Sequence, residues 1–389
     1  MSQQVRESAG ILGGGQLARM LVMAGVPLGI GYRVLDKSAD VCAASVAPVQ
    51  AADWDDRQTL AGLARQVDVI TFDYENVPAE TVEWLASLTA VHPNARALAT
   101  AQDRLSEKAL FQSVGLPVAQ HAAVSSREEL AAALAEIGCP AILKTRRMGY
   151  DGKGQFRLQS PGEADAAWAD LGQAAARHGL ILEAMVPFRR ELSVLAARTL
   201  DGEFRAWPLV QNWHENGILA LSMAPAHVTP QMHDQALAHA RAVADALDYV
   251  GVFALELFVD GERLLGNEMA PRVHNSGHWS IEGAVTSQFE NHMRAVLGMP
   301  LGATDARGAS LMFNWIGALP DRNAALRHAG VHWHDYGKSP RPGRKLGHAT
   351  VCADDHATLL QRAEALALEL GCAERLQQVR AWVDGAVAA

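Results

Sequence analysis

No feature constrains the fold of this chain more than its opening run, Ser8 to Met20, SAGILGGGQLARM, in which an apolar stretch meets three successive glycines and then a helical pattern. Such a run must turn sharply from strand to helix, because glycine tolerates the left-handed backbone that a tight turn needs. The same glycines let backbone N–H groups approach an anion at the helix N-terminus. Gly13-x-Gly15-x-x-Ala18 has the spacing of a dinucleotide fingerprint. Asp36, ending the strand YRVLD, stands about 20 residues further on, where an NAD site keeps its ribose-binding acid. A structural turn, or one for another anion, explains the motif as well. VDVITFDYENV then reads as a buried strand with an acidic exit, and PAETVEWLASL as a helix with Pro78 in its first turn. Residues 1–105 are expected to make a parallel, Rossmann-like α/β domain.

From Ser125 the pattern changes. SSREELAAALAEIGCP opens with a capping-box spacing, Ser126 to Glu129, and stops at Gly138 and Pro140. Short strands follow at AILKT, GLILEAMV, ELSVLAART, AWPLVQNW, VFALELFVDG and RLLGNEM, so residues 106–300 read as an α+β domain. LGMPLGATDARGAS is a connector, and residues 309–389 form a small α+β cap. The 389-residue length accommodates all three.

The net charge of −9, with basic residues scattered, excludes a sequence-independent grip on nucleic acid. Cys42, Cys139, Cys352 and Cys372 form no CxxC pair, which argues against a zinc site or disulfide framework and fits a reducing cytoplasm. The start carries no signal-peptide pattern, and Arg19 or glycines interrupt the apolar runs before membrane-spanning length. His332-x-His334 alternates along a strand without a third metal ligand at useful spacing, and is taken as structural or exposed.

Three constellations carry chemistry. In AILKTRRMGYDGKGQ a strand delivers Lys144 and then a glycine-rich loop, Gly149-Tyr150-Asp151-Gly152-Lys153-Gly154-Gln155, whose backbone can wrap phosphates while the lysines supply point charges. A plain hairpin turn is the competing reading. ALELFVDGERLLGNEM is a hairpin turning near Asp260-Gly261. A two-residue turn pairing Val259 with Glu262 would send Glu256 and Glu268 to opposite faces. A three-residue loop, Gly261 to Arg263, would set them opposite each other, about 5 Å apart and repelling unless a cation such as Mg²⁺ sits between them. Both acids are embedded in apolar strands, which favours the second register, and Asn267 could add an oxygen ligand. In ILEAMVPFRRELSV, Glu183 ends one strand and Glu191 begins another. An edge strand there could offer its backbone to an adenine and a carboxylate to a ribose, although an ordinary strand with exposed acids fits equally.

Together these residues resemble the ATP-grasp superfamily in order and spacing over nearly the whole chain. APRVHNSGHWSIEGAVTSQFENH, KSPRPGRKLGHATV, ILGGGQLARM and RMGYDGKGQ narrow the resemblance to the N5-carboxyaminoimidazole ribonucleotide synthetases of purine biosynthesis. The resemblance implies an ATP-grasp fold behind an N-terminal Rossmann-like (preATP-grasp) domain that binds no NAD, with a small C-terminal α+β domain. It implies ATP, Mg²⁺, bicarbonate and aminoimidazole ribonucleotide as ligands, a cytoplasmic location and a homodimer. Arg104, Lys144 and the loop from Gly149 to Gln155 would cover the phosphates. Glu183, Ala184, Met185 and Val186 would line the adenine, Glu191 the ribose, and His214 would reach the nucleotide. Glu256 and Glu268 would bridge Mg²⁺, with Asn267 adjoining. Arg272 would neutralise carboxyphosphate while His274, Asn275 and Ser276 orient bicarbonate and amine. Tyr150 and Asp151 would close the site, Asp151 accepting a proton. Gln16, Leu17, Glu75 and Asn76 would face the ribonucleotide, whose 5′-phosphate would meet Lys338, Arg344 and Lys345. His348 is a further candidate. Competing readings are a ligase acting on another ribonucleotide amine with formate, which lacks use for Arg272 to His278, a non-catalytic ATP-binding regulator, and an NAD oxidoreductase, which leaves the Glu256/Glu268 pair idle.

Overall fold

The computed structural model describes residues 7–149, 153–377 and 379–380. The N-terminal strands β1 (Ser8–Leu12), β2 (Gly31–Asp36), β3 (Val49–Ala51), β4 (Val69–Phe72) and β5 (Ala90–Val91) form one parallel sheet in the order β3-β2-β1-β4-β5. Its crossover helix, Gln16–Gly25, coincides with the run QLARMLVMAG and buries Leu17, Ala18, Met20, Leu21 and Val22. The capping signal further on is also realised: the Ser126 hydroxyl accepts the Glu129 N–H at 3.1 Å, and the helix Arg127–Ile137 stops at Gly138.

A second sheet holds β6 (His121–Val124), β7 (Ala141–Thr145), β8 (Gln155–Leu158) and β9 (Leu180–Ala184) in the order β6-β9-β7-β8. The third contains β10 (Arg190–Arg198), β11 (Phe204–Ala206), β12 (Val210–Glu215), β13 (Ile218–Ala224), β14 (Gly251–Asp260), β15 (Arg263–Ala270), β16 (Ala309–Ile316), β17 (Val331–Asp335) and β18 (Lys345–Ala353). Here β13 pairs antiparallel with β16, so the C-terminal strands extend the sheet that begins at the β14–β15 hairpin. One ladder therefore carries the hairpin acids and the basic loop between β17 and β18. The link from β9 to β10, residues 185–189, joins the second sheet to the third.

The opening turn is tightly packed. Gly13 has φ +96°, and a Cβ there would lie 1.9 Å from Asp73 Oδ1. Asp73 is buried at the end of β4 and accepts the Ala18 N–H at 3.1 Å, and burial pushes its pKa up to about 6. Asp36 accepts the Gly14 N–H at 2.7 Å and the Ser38 N–H at 3.1 Å. Both acids are committed to the turn, and the amide that a dinucleotide phosphate would compete for is already taken. Gly13→Ala is expected to cost about 2–4 kcal/mol, from left-handed strain and overpacking together. Chemical denaturation checks this, and an unchanged midpoint and slope would contradict it.

Candidate active site

The ends of the three sheets enclose a cleft of about 840 Å³. Its N-terminal wall is the glycine turn with Gln16 and Leu17, together with Glu75 and Asn76 beyond β4. Arg104, Gly149, Lys153, Glu256 and Glu268 line its floor, and Arg272, His274 and Asn275 lie beside them. Lys338 and Arg344 from the loop between β17 and β18, and Lys345 at the start of β18, close it. Lys338 Nζ donates to Gln16 Oε1 at 2.5 Å, and Arg19 donates to the Asp335 carbonyl at 2.5 Å, so the cap docks on the first helix. Arg272 donates to Glu75 Oε2 at 2.6 Å across the cleft. Residues more than 300 positions apart in sequence thus form one basic, anion-sized corner at a helix N-terminus.

On the floor, Glu256 stands directly opposite Glu268 in the β14–β15 ladder. The route to that register differs from the expected three-residue loop. Asp260 pairs with Arg263 around a two-residue turn, Gly261-Glu262, with Gly261 at φ +62°. That register alone would separate the acids, but a bulge at Asn267 adds one residue to β15 and restores their opposition. Burial and the neighbouring Glu268 drive the Glu256 carboxyl well above its ordinary value. Burial also opposes ionisation of Glu268, but Arg104, donating at 3.1 Å, outweighs it and holds that carboxyl low. Glu256 meets His274 Nε2 at 3.1 Å.

Lys144 and Glu183 adjoin this floor without lining the cleft. Glu183 is buried and binds Lys144 Nζ at 2.9 Å and Lys108 Nζ at 3.4 Å. The edge-strand expectation for this segment is corrected: β9 lies between β6 and β7, and both its neighbours consume its backbone. The Ala184 and Met185 N–H groups are spent on Gln120 and Pro140 carbonyls at 2.8 and 3.0 Å. Glu183 accordingly serves the lysines, and Met185 and Val186 lie on the link between the sheets. Glu191 on β10 is hydrogen-bonded to His214 Nδ1 on β12. Burial disfavours protonation of His214, but Glu191, Glu256 and Glu268 together raise its pKa.

Beyond β15 the chain makes a short turn, Asn275–Gly277. The Ser276 N–H reaches His274 Nδ1 at 3.3 Å, and the Ser276 hydroxyl lies 2.8 Å from the same nitrogen. With Nδ1 accepting, the proton belongs on Nε2, where it points at Glu256. Burial keeps this imidazole neutral. Ser276 is itself fully buried and acts on His274 instead of facing the cleft. The Asn275 carboxamide pairs reciprocally with Asn314 of β16, at 3.1 and 2.5 Å.

Family models match along the chain: a ribonucleotide synthetase preATP-grasp domain over residues 7–102, an ATP-grasp domain over 109–289, and a phosphoribosylaminoimidazole carboxylase C-terminal domain over 310–362. The N5-carboxyaminoimidazole ribonucleotide synthase of Pseudomonas aeruginosa is 50% identical over 362 residues, covering 92% of this chain and 98% of its own. The chain belongs to the N5-carboxyaminoimidazole ribonucleotide synthase family. The crystal structure of the Thermus thermophilus family member matches with a TM-score of 0.88 at 48% identity, covering 93% of this chain and 98% of its own. The Aspergillus clavatus synthase, crystallised with ADP and 5-aminoimidazole ribonucleotide, matches at 0.85 and 31%, covering 95% and 99%.

Within this synthase-family chain the remaining expectations fall as follows. Tyr150, Asp151 and Gly152 lie outside the described residues. Gly154, at φ +69°, passes 2.7 Å from Thr145 Oγ1 as gauged at a notional Cβ, and Gln155 opens β8 opposite Lys144. Asn267 is the bulged residue and is half-buried. His348 is not part of the cleft: it is fully buried, bonded to the Tyr336 hydroxyl at 2.8 Å and stacked on His334. His334 in turn contacts Glu282 at 2.7 Å. Among the described residues no group of three or more His, Cys, Asp or Glu is placed to share a metal ion, and no helix is long and apolar enough to cross a membrane.

Several residues of this synthase-family site escaped the sequence reading. Arg146 and Arg341 line the cleft, and buried Asp103 binds Arg146 at 2.6 and 3.1 Å and Arg147 at 3.2 Å, pinning the base of the glycine loop. Asn314 and Gln288 support the Arg272–Ser276 segment from distant elements. Gln288 and Arg341 had a signal, lying inside the SQFENH and KSPRPGRK stretches that carried the resemblance, and Arg146 lay inside the run AILKTRRMG that delivers the glycine loop.

Proposed function

We propose that this chain carboxylates the exocyclic amine of 5-aminoimidazole ribonucleotide with bicarbonate at the expense of ATP, as an ATP-dependent carbon–nitrogen ligase of purine biosynthesis. The observation that carries the reading is the single cleft that joins a basic corner, Lys338, Arg344 and Lys345 against the first helix, to the Glu256/Glu268 floor. The corner fits the 5′-phosphate of a ribonucleotide, and the floor fits the phosphates of ATP.

Bicarbonate is a poor electrophile, since its carbon faces negative charge and has no good leaving group. A bicarbonate oxygen attacks the γ-phosphorus, the bond to the β-phosphate oxygen breaks, and ADP departs. The resulting carboxyphosphate breaks its C–O bond to release phosphate and CO₂. The amine nitrogen then bonds to that carbon and loses one proton. Positioning and charge neutralisation supply the acceleration, as in phosphoryl transfer generally. Arg272, held by Glu75, is placed to offset the charge of carboxyphosphate. His274, neutral with its Nε2 proton directed at Glu256, keeps this segment in register, and Asn275 presents a carboxamide fixed by Asn314. Asp151 and Tyr150 remain our candidates for accepting the amine proton and closing the site. Lys144, Lys153 and Arg104 serve the phosphates, Val186 and its neighbours the adenine, and Glu191 with His214 the ribose.

Mg²⁺ suits the floor: two half-buried carboxylates facing each other repel, both offer hard oxygen donors, and this ion usually takes one or two carboxylates and completes its shell with phosphates and water. When bound it would neutralise charge on the transferring phosphate. Glu256 and Glu268, with Asn267 beside them, would hold it. A cytoplasmic homodimer completes the proposal, and light scattering giving twice the chain mass checks the assembly.

Bicarbonate labelled with ¹⁸O tests the chemistry, because one labelled oxygen must appear in the released phosphate if carboxyphosphate forms. Unlabelled phosphate would exclude this route. Lys338→Met is expected to raise KM for the ribonucleotide by about 10–100-fold, the size of one charged hydrogen bond, and to leave KM for ATP unchanged. Steady-state kinetics in each substrate checks this, and an equal rise in both constants would contradict the placement.

A further inference from the structure

We infer that Gln288 is a positioning residue for the reaction, clamping the backbone of the segment that carries Arg272, His274 and Asn275. This rests on the function proposed above. Gln288 begins the helix Gln288–Val296, is fully buried, and does not line the cleft. Its Oε1 accepts the His274 N–H at 2.9 Å, and its Nε2 donates to the His274 carbonyl at 2.6 Å. A single carboxamide thus satisfies both backbone groups of one residue, as a neighbouring strand would. The same Nε2 lies 3.3 Å from His278 Nδ1.

The segment is shaped around this clamp. A Cβ on Gly277 would sit 2.6 Å from the Gln288 carboxamide carbon, so only glycine lets the chain pass. The Gln288 N–H binds Ser280 Oγ at 3.0 Å, and that hydroxyl donates to the Gly277 carbonyl at 2.6 Å. The clamp holds the segment from behind, while Glu256 and Asn314 meet its side chains. With the His274 backbone fixed, the imidazole reaches Glu256 and the next residue reaches Asn314. Losing the clamp frees the segment without removing any group that touches a reactant. Displacements near 1 Å can cost about 100-fold in rate.

Gln288→Glu discriminates well. It keeps the shape and the acceptor for the His274 N–H, but sets a carboxylate oxygen against the His274 carbonyl. Gln288→Met fills the same volume with neither bond. In both, kcat for ribonucleotide carboxylation is expected to fall about 100-fold, with KM for ATP unchanged. Phosphate released per ribonucleotide carboxylated should rise well above one, since carboxyphosphate no longer held beside the amine decays in water. Hydrogen exchange at residues 274–278 should quicken while β14 and β15 stay protected. A merely structural role would lower kcat with the folded fraction, measured by thermal melting, and leave the stoichiometry at one. That outcome, or a folded variant with wild-type rate and stoichiometry, would overturn the inference. The wild-type protein run alongside separates the two ideas. If it shows no ribonucleotide-dependent phosphate release, the functional reading fails, and the exchange measurement still decides whether Gln288 anchors the segment.

Discussion

Glu256→Gln is expected to lower kcat by about 10²–10³-fold, the usual consequence of removing a group that organises developing charge, while leaving the melting temperature of the ligand-free protein unchanged. The glutamine keeps the volume of the acid and an oxygen for the His274 Nε2 proton. It removes one of two half-buried acids set opposite each other in the ladder, a pairing that does not hold the free protein together. What it takes from the enzyme is the second anionic oxygen that, with Glu268, would hold Mg²⁺ beneath the phosphates. The stabilisation that Mg·ATP gives to the wild-type protein should shrink accordingly. Kinetics and melting curves with and without Mg·ATP check both halves, and a fully active variant would remove Glu256 from the metal site.

Glu183→Gln is expected to be the most damaging single change to stability, costing about 3–5 kcal/mol. The carboxylate is shared between Lys144 and Lys108 in a place that water barely reaches, with exposures of 11% and 2% for the two lysine side chains. Removing it leaves two ammonium groups buried together. Burial alone would raise the pKa of Glu183, but Lys144, Lys108 and Arg104 outweigh it and bring it to about 2. A carboxyl whose folded pKa lies below its unfolded value stabilises the fold above the unfolded value and loses that contribution as pH falls through the folded one. Its share of stability should therefore fade between the ordinary glutamate value, about 4.3, and about 2. Denaturation at pH 7 and along an acid series checks this, and a variant as stable as wild type at pH 7 would contradict the ion-pair account.

How much of this was legible in the sequence depended on range. The first helix, the glycine turn and the Ser126 cap are local devices, and their residues declare them. The opposition of Glu256 and Glu268 was also legible, because apolar strands on both sides demanded one shared face. Its route was not: the turn moved to Gly261-Glu262, and the bulge at Asn267 carries no local signature. The placement of β9 inside its sheet follows from pairing with β6 and β7, which nothing in ILEAMV encodes, and that stretch gave no sign that Glu183 neutralises two lysines. Asn314 and Asp103 likewise act on partners about 40 residues away, Asn275 and Arg146, through contacts that only the folded chain creates. The basic run GKSPRPGRK reached the site only through the resemblance, since nothing local in it shows that Lys338 meets Gln16 across the cleft.

The most direct test of the central claim is phosphate release from Mg·ATP by the purified protein in bicarbonate buffer, with and without 5-aminoimidazole ribonucleotide. Strong stimulation by the ribonucleotide, together with its consumption, is the predicted result. ATP binding without that stimulation would contradict the account and remove the ribonucleotide from the basic corner of the cleft.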